Sequence, residues 1–368
     1  MVNGIRSTAY GQRHVTLAVP DNVANVVFPT VARHRLSRAR VYRLHNRSFD
    51  ASMRRVPCCN TSWTTIVRKV TEPDATNTGL VVTAYGRRGF LETDDNEKLR
   101  YLVKGPGLRV VCGDRVLWQR DGHRGKAIVQ RICDRDNILE RQPAGRTTPE
   151  LLAANLDCIV VVCTTVPETN WFLLDRFLVT AALMGCRAII VDNKIDLLDE
   201  SSRAARDREL SVYRALDYAC VGVSATNGQG IDTLLEELGE SIAIMIGQSG
   251  VGKSSLINAL VPDAEIVVGE LSQATSEGRH TTTASIMHRL QSGARLIDTP
   301  GVRDFSPVVG QGASLGFGFP EIAAAAQQCR FHNCRHLQEP ECAVKTAVEL
   351  GTINARRFES YRRLIENV

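Results

Sequence analysis

Between residues 146 and 310, apolar runs of strand length alternate with stretches of helical spacing. Leu156-Asp157-Cys158-Ile159-Val160-Val161-Val162-Cys163 is almost continuously apolar. That is the pattern of a parallel strand covered on both faces. Residues 170–184 follow, with Phe172, Leu173, Phe177, Leu178 and Leu183 at helical intervals. Strand-like runs recur at 187–191, 218–223, 241–246 and 294–297. A charged helix is expected over 200–217 and amphipathic helices over 231–238 and from 255. This alternation predicts a three-layer α/β domain around a parallel sheet.

The period changes in residues 74–145. Short β-type runs occur at 79–85, 90–92, 99–103, 115–118 and 126–130, punctuated by Gly86, Gly105-Pro106-Gly107, Gly113-Asp114 and Asp121-Gly122. Five such runs in so short a span predict an OB-like β-barrel. Its aromatics, Tyr85, Phe90, Tyr101 and Trp118, either fill the barrel or stack on bases. Residues 311–368 carry a Cys/His cluster followed by helical spacing at 343–350 and 353–365. The expected division is a basic extension over 1–73, the barrel over 74–145, the α/β domain over 146–310 and a metal-binding helical domain over 311–368.

Composition changes this picture in two places. The first 70 residues hold 12 Lys+Arg against 2 Asp+Glu, whereas the remainder holds 33 against 38. A basic arm on a slightly acidic body suggests an anionic partner such as nucleic acid. A solvated tail, a transit peptide and a misassigned start codon are the other readings of that arm. The 11 cysteines form no disulfide framework. Six of them, Cys112, Cys133, Cys158, Cys163, Cys186 and Cys220, lie in or beside apolar runs, as reduced thiols do. No run of 18 apolar residues exists, so no membrane span and a cytoplasmic chain are expected.

The chemistry begins at Gly247-Gln248-Ser249-Gly250-Val251-Gly252-Lys253-Ser254, followed by Ser255. This G-x4-G-K-S run sits between a strand and a helix, the context that a phosphate-binding loop needs. Lys253 would reach the β- and γ-phosphates, and Ser254 would ligate Mg²⁺. Asn193-Lys194-Ile195-Asp196 lies at a strand end. Asp196 can accept both the N1–H and the 2-amino group of guanine, which adenine does not offer. Asn193 can bond the opposite edge, the Lys194 stem can lie along the base, and the N–H groups of Ser224-Ala225 can meet guanine O6. Asp298-Thr299-Pro300-Gly301 places Asp298 for Mg²⁺ and the Gly301 N–H for the γ-phosphate. One threonine of Thr281-Thr282-Thr283, expected to be Thr282, would complete the Mg²⁺ shell.

The order of these motifs carries further information. Ordinary small GTPases place N-K-x-D and S-A after the phosphate loop, and here both precede it. The domain reads as circularly permuted, so its switch segments, 262–283 and 298–310, lead into the C-terminal region. The position that holds a water-orienting Gln in Ras-like enzymes is Val302. His280, in Gly278-Arg279-His280-Thr281, is the candidate to position the attacking water. Cys329, Cys334, His336 and Cys342 have the spacing C-x4-C-x-H-x5-C, which can close a tetrahedral, structural Zn²⁺ site. His332 is the competing ligand. Arg356, Arg357, Arg362 and Arg363 form either an RNA-contacting or a solvated face.

With these motifs in hand, the chain resembles the bacterial ribosome small subunit-dependent GTPase A (RsgA) family. The resemblance covers about 79–365 and rests on the permuted order, Gly278 to Thr283, Asp298 to Arg303 and the Cys/His spacing. It implies an OB barrel, a GTPase domain and a zinc domain. It further implies binding to the 30S subunit and its 16S rRNA late in assembly, with GTP hydrolysis to GDP stimulated by that subunit, and a catalytic role for His280. A monomer is expected. The competing class is a nucleotide-gated RNA-binding module whose hydrolysis is incidental.

Overall fold

Five strands open the described chain and close into a barrel: β1 (Asn77–Tyr85), β2 (Arg88–Thr93), β3 (Lys98–Val103), β4 (Arg115–Arg120) and β5 (Ala127–Ile132). They pair in the order β1–β2–β3–β5–β4, and β4 returns to β1, which removes open edges. Val81, Leu91, Leu99, Val103, Val116 and Val129 alternate inward to fill it. Tyr101 and Trp118 join that core, and the Trp118 Nε1–H donates to the Thr78 carbonyl at 3.0 Å. Phe90 is half-buried, with the Arg100 guanidinium 5.7 Å above its ring. The computed structural model describes residues 77–104, 107–121, 125–142, 148–261, 284–299, 315–316 and 318–366. They all belong to one unit, Lys69–Val368. The expectations for residues 1–73, His280, Thr281–Thr283, Gly301 and Val302 lie outside the described residues.

A two-stranded ribbon, β6 (Ile138–Arg141) with β7 (Glu150–Ala154), follows the barrel and was not anticipated. The Ala154 N–H donates to the Cys112 carbonyl at 3.0 Å, which holds the ribbon against the barrel. The boundary expected at 145/146 falls between its two strands.

The α/β part then runs β8 (Cys158–Cys163), α1 (Trp171–Leu183), β9 (Arg187–Asp192), a 3-10 turn (Ile195–Leu197), α2 (Glu200–Arg214), β10 (Ala219–Gly222), α3 (Ile231–Leu238), β11 (Ile242–Gly247), α4 (Lys253–Leu260), β12 (Ser285–Arg289) and β13 (Arg295–Asp298). The sheet order is β10-β9-β8-β11-β13-β12. Every pairing is parallel except β12 on β13. All six residues of β8 are buried, as its apolar run requires. Asn170 and Asp199 cap α1 and α2 by accepting from the Leu173 and Ser202 N–H groups at 3.0 and 2.7 Å. Strand β12 also pairs with β1, Thr83 opposite Ile286 and Ala84 opposite Ser285. The barrel and the α/β sheet are therefore one eleven-stranded sheet. Arg295 reaches across this join to Glu92 at 2.5 Å.

Three helices complete the described chain: α5 (Pro320–Ala326), α6 (Ala343–Glu349) and α7 (Ala355–Glu366). Phe319, Ile322, Val344, Tyr361 and Leu364 pack with Val179 of α1. Of the four arginines read as one face of α7, Arg362 and Arg363 stay partly exposed while Arg357 turns inward. Arg357 is fully buried and bonds Asp175 of α1 and Glu321 of α5, each at 2.8 Å. The Tyr213 hydroxyl donates to the same Asp175 oxygen at 2.9 Å. Arg356 lies over the Trp171 ring, while Arg362 and Arg363 pair with Glu359 on their own helix. The helical period points Arg357 inward, and its two carboxylate partners supply the compensation that a buried guanidinium needs.

Removing one partner of a buried ion pair costs about 3–5 kcal/mol, because the other charges stay buried and unpaired. Arg357→Ala should lose stability of that order in chemical denaturation. A loss below about 1 kcal/mol would show that the triad is not what joins α7 to α1.

Candidate nucleotide-binding site and metal centre

The carboxyl ends of β10, β9, β8, β11 and β13 meet at one sheet edge, where open α/β sheets bind ligands. Gly247 pairs with Val162 and Cys163 with Asp192. Ile244 pairs with Ile297, which brings exposed Asp298 to the same edge. The loop from Gly247 to Gly252 joins β11 to α4. Its shape rests on glycine: Gly250 and Gly252 have φ of 82° and 91°, a region that side chains rarely adopt. Gln248 and Lys253 are half-buried, while Ser249 and Gly250 are exposed at the loop tip. Lys253 Nζ donates to the Gly247 and Gln248 carbonyls at 2.7 and 2.8 Å, which holds its ammonium inside the loop. Ser254 and Ser255 open the first turn of α4, exposed at its N-terminus. A helix N-terminus with N–H groups aimed out of a glycine loop binds phosphate.

The N-K-x-D segment is fastened to this loop. Asn193 is 2% exposed, and its Nδ2 donates to the Val251 carbonyl at 2.9 Å. Its Oδ1 accepts from the Ala225 N–H at 3.3 Å. Lys194 has a left-handed φ of 64°, and its Nζ bridges the Gly250 and Val166 carbonyls at 2.9 and 2.7 Å. Ile195 is half-buried and donates its N–H to the Val223 carbonyl at 3.2 Å. Asp196 is exposed in the 3-10 turn, with its carboxylate available to a ligand.

The N–H groups of Ser224 and Ala225 both have partners within the chain. Buried Ser224 donates its N–H to the Gln229 carbonyl at 2.9 Å, and its hydroxyl accepts from Asn227 N–H at 3.3 Å. These two residues thus shape the loop and brace Asn193. Thr299 was not singled out from the sequence. It is buried and donates to the Ser285 hydroxyl at 3.1 Å, tying the end of β13 to the start of β12. Asp192 was missed too: it precedes Asn193 and forms a buried pair with Arg206 at 2.8 Å. Its acidic position directly before the motif was the available signal.

The second centre is the cluster Cys329, Cys334, His336 and Cys342, whose ligand atoms all lie within 4.8 Å of one another. Cys329 and Cys342 Sγ are 3.9 Å apart, and they lie 3.5 and 3.4 Å from His336 Nδ1. A tetrahedron with Zn–S of about 2.3 Å and Zn–N of about 2.0–2.1 Å has edges near 3.8 and 3.6 Å, so the cage fits such an ion. Burial lowers the His336 pKa, which favours the neutral, ligating imidazole. His332 is exposed and lies outside the cluster.

Comparison with known proteins agrees with this geometry. The RsgA GTPase family model matches residues 132–307. A small ribosomal subunit biogenesis GTPase RsgA from Actinobacillus pleuropneumoniae serotype 5b is 37% identical over 292 residues, covering 78% of this chain and 85% of that protein. The protein of the same description from Pseudomonas savastanoi pv. phaseolicola is 38% identical over 295 residues, covering 79% and 85%. The crystal structure of YjeQ from Thermotoga maritima superposes with a TM-score of 0.64 at 32% identity, covering 79% of this chain and 97% of the other. YloQ, described as a circularly permuted GTPase, gives 0.63 at 26% identity, covering 80% and 95%.

A Cβ on Gly252 would lie 2.4 Å from Asn193 Nδ2, at a φ that already disfavours a side chain. Gly252→Ala should break the Asn193–Val251 tie and weaken guanine-nucleotide binding about tenfold or more. Titration with a fluorescent GDP checks this, and parent-like affinity would contradict it.

Proposed function

The chain belongs to the RsgA GTPase family and is a GTP hydrolase, and we propose that it acts on the small ribosomal subunit, the 30S particle, during late maturation. The observation that carries the chemistry is the Asn193 amide, which ties the base-recognition segment to the phosphate loop. The small-subunit assignment draws on the description of the relatives as small ribosomal subunit biogenesis GTPases.

In this reading Asp196 accepts the guanine N1–H and 2-amino group, and Asn193 and Lys194 complete the base pocket. Adenine does not offer that pair of donors, and each hydrogen bond left unmade costs roughly 1–3 kcal/mol, which selects guanine over adenine. Gly247 to Ser255 hold the phosphates, with Lys253 on the β- and γ-oxygens. Ser254, Asp298 and Thr282 are the residues that would hold Mg²⁺. When bound, that ion would supply charge neutralisation to the phosphate groups. Gly301 donates to the γ-phosphate. Val302 has no group to orient water, so His280 takes that role. The subunit supplies the rest of the activation and contacts the chain through its 16S rRNA. The cation of the Cys₃His cage is a single Zn²⁺. Three thiolates and one imidazole close its coordination, so its work is structural. The protein acts as a cytoplasmic monomer. Among the described residues no helix is long and apolar enough to cross a membrane.

GTP hydrolysis measured with 30S or 50S subunits at two salt concentrations tests the proposal. Stimulation by 30S alone is expected, up to the roughly 10³–10⁵-fold seen when a partner completes a GTPase site, and weaker at high salt. Equal rates with both subunits or with neither would overturn the small-subunit assignment. His280→Ala should lower the stimulated rate by about 10²-fold while GTP affinity is kept. A fall in affinity alone would remove His280 from catalysis. Cys342→Ser should lose the one equivalent of zinc by elemental analysis and lower the melting temperature. Full zinc retention would contradict the ligand set.

A further inference from the structure

Trp171, the first residue of α1, touches both halves of the nucleotide site through its neighbours. On one side, the backbone N–H of the preceding Asn170 donates to Gln248 Oε1 of the phosphate loop at 3.1 Å. On the other, the Arg206 guanidinium of α2 lies 4.8 Å from the Trp171 ring centroid. Arg206 pairs with Asp192 at 2.8 Å, both side chains 5% exposed, and its Nη2 also lies 3.0 Å from Cys163 Sγ. Asp192 immediately precedes Asn193, whose own N–H donates to the Cys163 carbonyl at 2.9 Å. The guanidinium–indole contact is therefore one ion pair away from the guanine-recognition segment.

The same ring receives a second cation from the C-terminal part of the chain. Arg356 of α7 lies 4.0 Å from the Trp171 centroid, and its Nη1 forms an ion pair with Glu209 of α2. Arg356 Nε and Nη2 make no hydrogen bond. What holds the rest of this guanidinium is the aromatic face, a cation–π contact strengthened by desolvation. Trp171 also stacks on Tyr213 of α2, with centroids 5.8 Å apart and planes 15° from parallel. Arg356 from the C-terminal helices thus bridges α1 and α2, about one helical turn along α2 from the Arg206 that holds Asp192.

We infer that Trp171 and Arg356 are positioning residues for guanine recognition, fixing α2 so that Asp192 presents Asn193 to Asp196 in register with the base. The metal-bearing helices thereby take part in base selection without touching the nucleotide. This inference rests on the reading of Asn193 to Asp196 as the guanine site and deepens it. A stack that merely stabilised the fold would leave the preference among bases unchanged. A positioning stack sets the fit of Asp196 to the two donors of guanine, and so sets the preference for GTP over ITP, which lacks the 2-amino group.

The test is the ratio of GTP to ITP affinities, measured by competition against fluorescent GDP on the full metal-loaded chain. The variants are Arg356→Met, Arg356→Lys and Glu209→Gln. The parent should prefer GTP. Arg356→Met should reduce that preference about two- to tenfold, the worth of one loosened hydrogen bond, at parent-like metal content. Arg356→Lys, which keeps a cation over the ring, should recover part of it. Glu209→Gln releases Arg356 from α2 while leaving the ring contact, and should reduce the preference about twofold; it carries the test if Arg356→Met does not fold. An unchanged ratio in the folded variants, or an equal fall in both affinities, overturns the inference. A parent chain that binds GTP and ITP alike overturns the guanine-site reading itself, which separates the two failures.

Discussion

The Asn193 carboxamide, 2% exposed, spans from the Val251 carbonyl of the phosphate loop to the Ala225 N–H. Both ends of a buried amide must be satisfied, at a cost of about 1–3 kcal/mol for each bond left unmade. That demand fixes the distance between the Asn193–Asp196 segment and the Gly247–Gly252 loop. Gly252 leaves space for the amide because it has no Cβ. The strands supply the rest of the frame. β8 lies between β9 and β11, so the segments that follow β9 and β11 emerge on either side of it and meet through the Asn193–Val251 bond. The circular permutation leaves this intact because neighbourhood in the sheet, and not order in the chain, brings Asn193 to Val251.

Two further parts are attached to that frame by different physics. The barrel joins through backbone hydrogen bonds, β1 on β12, with Ser285 opposite Ala84. Ser285 is also the partner of Thr299, the neighbour of Asp298. The barrel is thus bonded to the strand whose first residue holds the neighbour of Asp298. The C-terminal helices join through side chains, with Arg357 between Asp175 and Glu321. A buried ion pair of this kind adds less stability than an apolar contact of equal size, but it specifies one docking geometry. Burial pushes the Asp175 pKa upward, and Arg357 is the main force against that shift.

The sequence reached most of the frame because its signals are local. The all-buried β8 run, the five barrel strands and the strand–loop–helix around Gly247 each follow from period and composition. β12 was missed because Ser285-Ile286-Met287-His288-Arg289 mixes polar and apolar residues, and its strand character comes from neighbours on both sides. The β6–β7 ribbon was missed for a similar reason, since it depends on the barrel it packs against. The fate of Arg357 was also illegible. A run of arginines on a helix looks solvated until the carboxylates of Asp175 and Glu321, 182 and 36 residues away, are brought beneath it. In the site, the motifs named the candidate residues for a nucleotide. They did not name Asp192, Arg206 and Thr299, which hold those residues in place through contacts made only in the folded chain.

A GTPase that acts on the small ribosomal subunit, as proposed above, is expected to bind it with GTP in the site and to leave once the γ-phosphate is gone. Co-sedimentation of the chain with purified 30S subunits, in a non-hydrolysable GTP analogue and in GDP, addresses it directly. The account predicts that the chain pellets with the subunits in the analogue and largely stays in the supernatant in GDP. Equal pelleting in both nucleotides would contradict it.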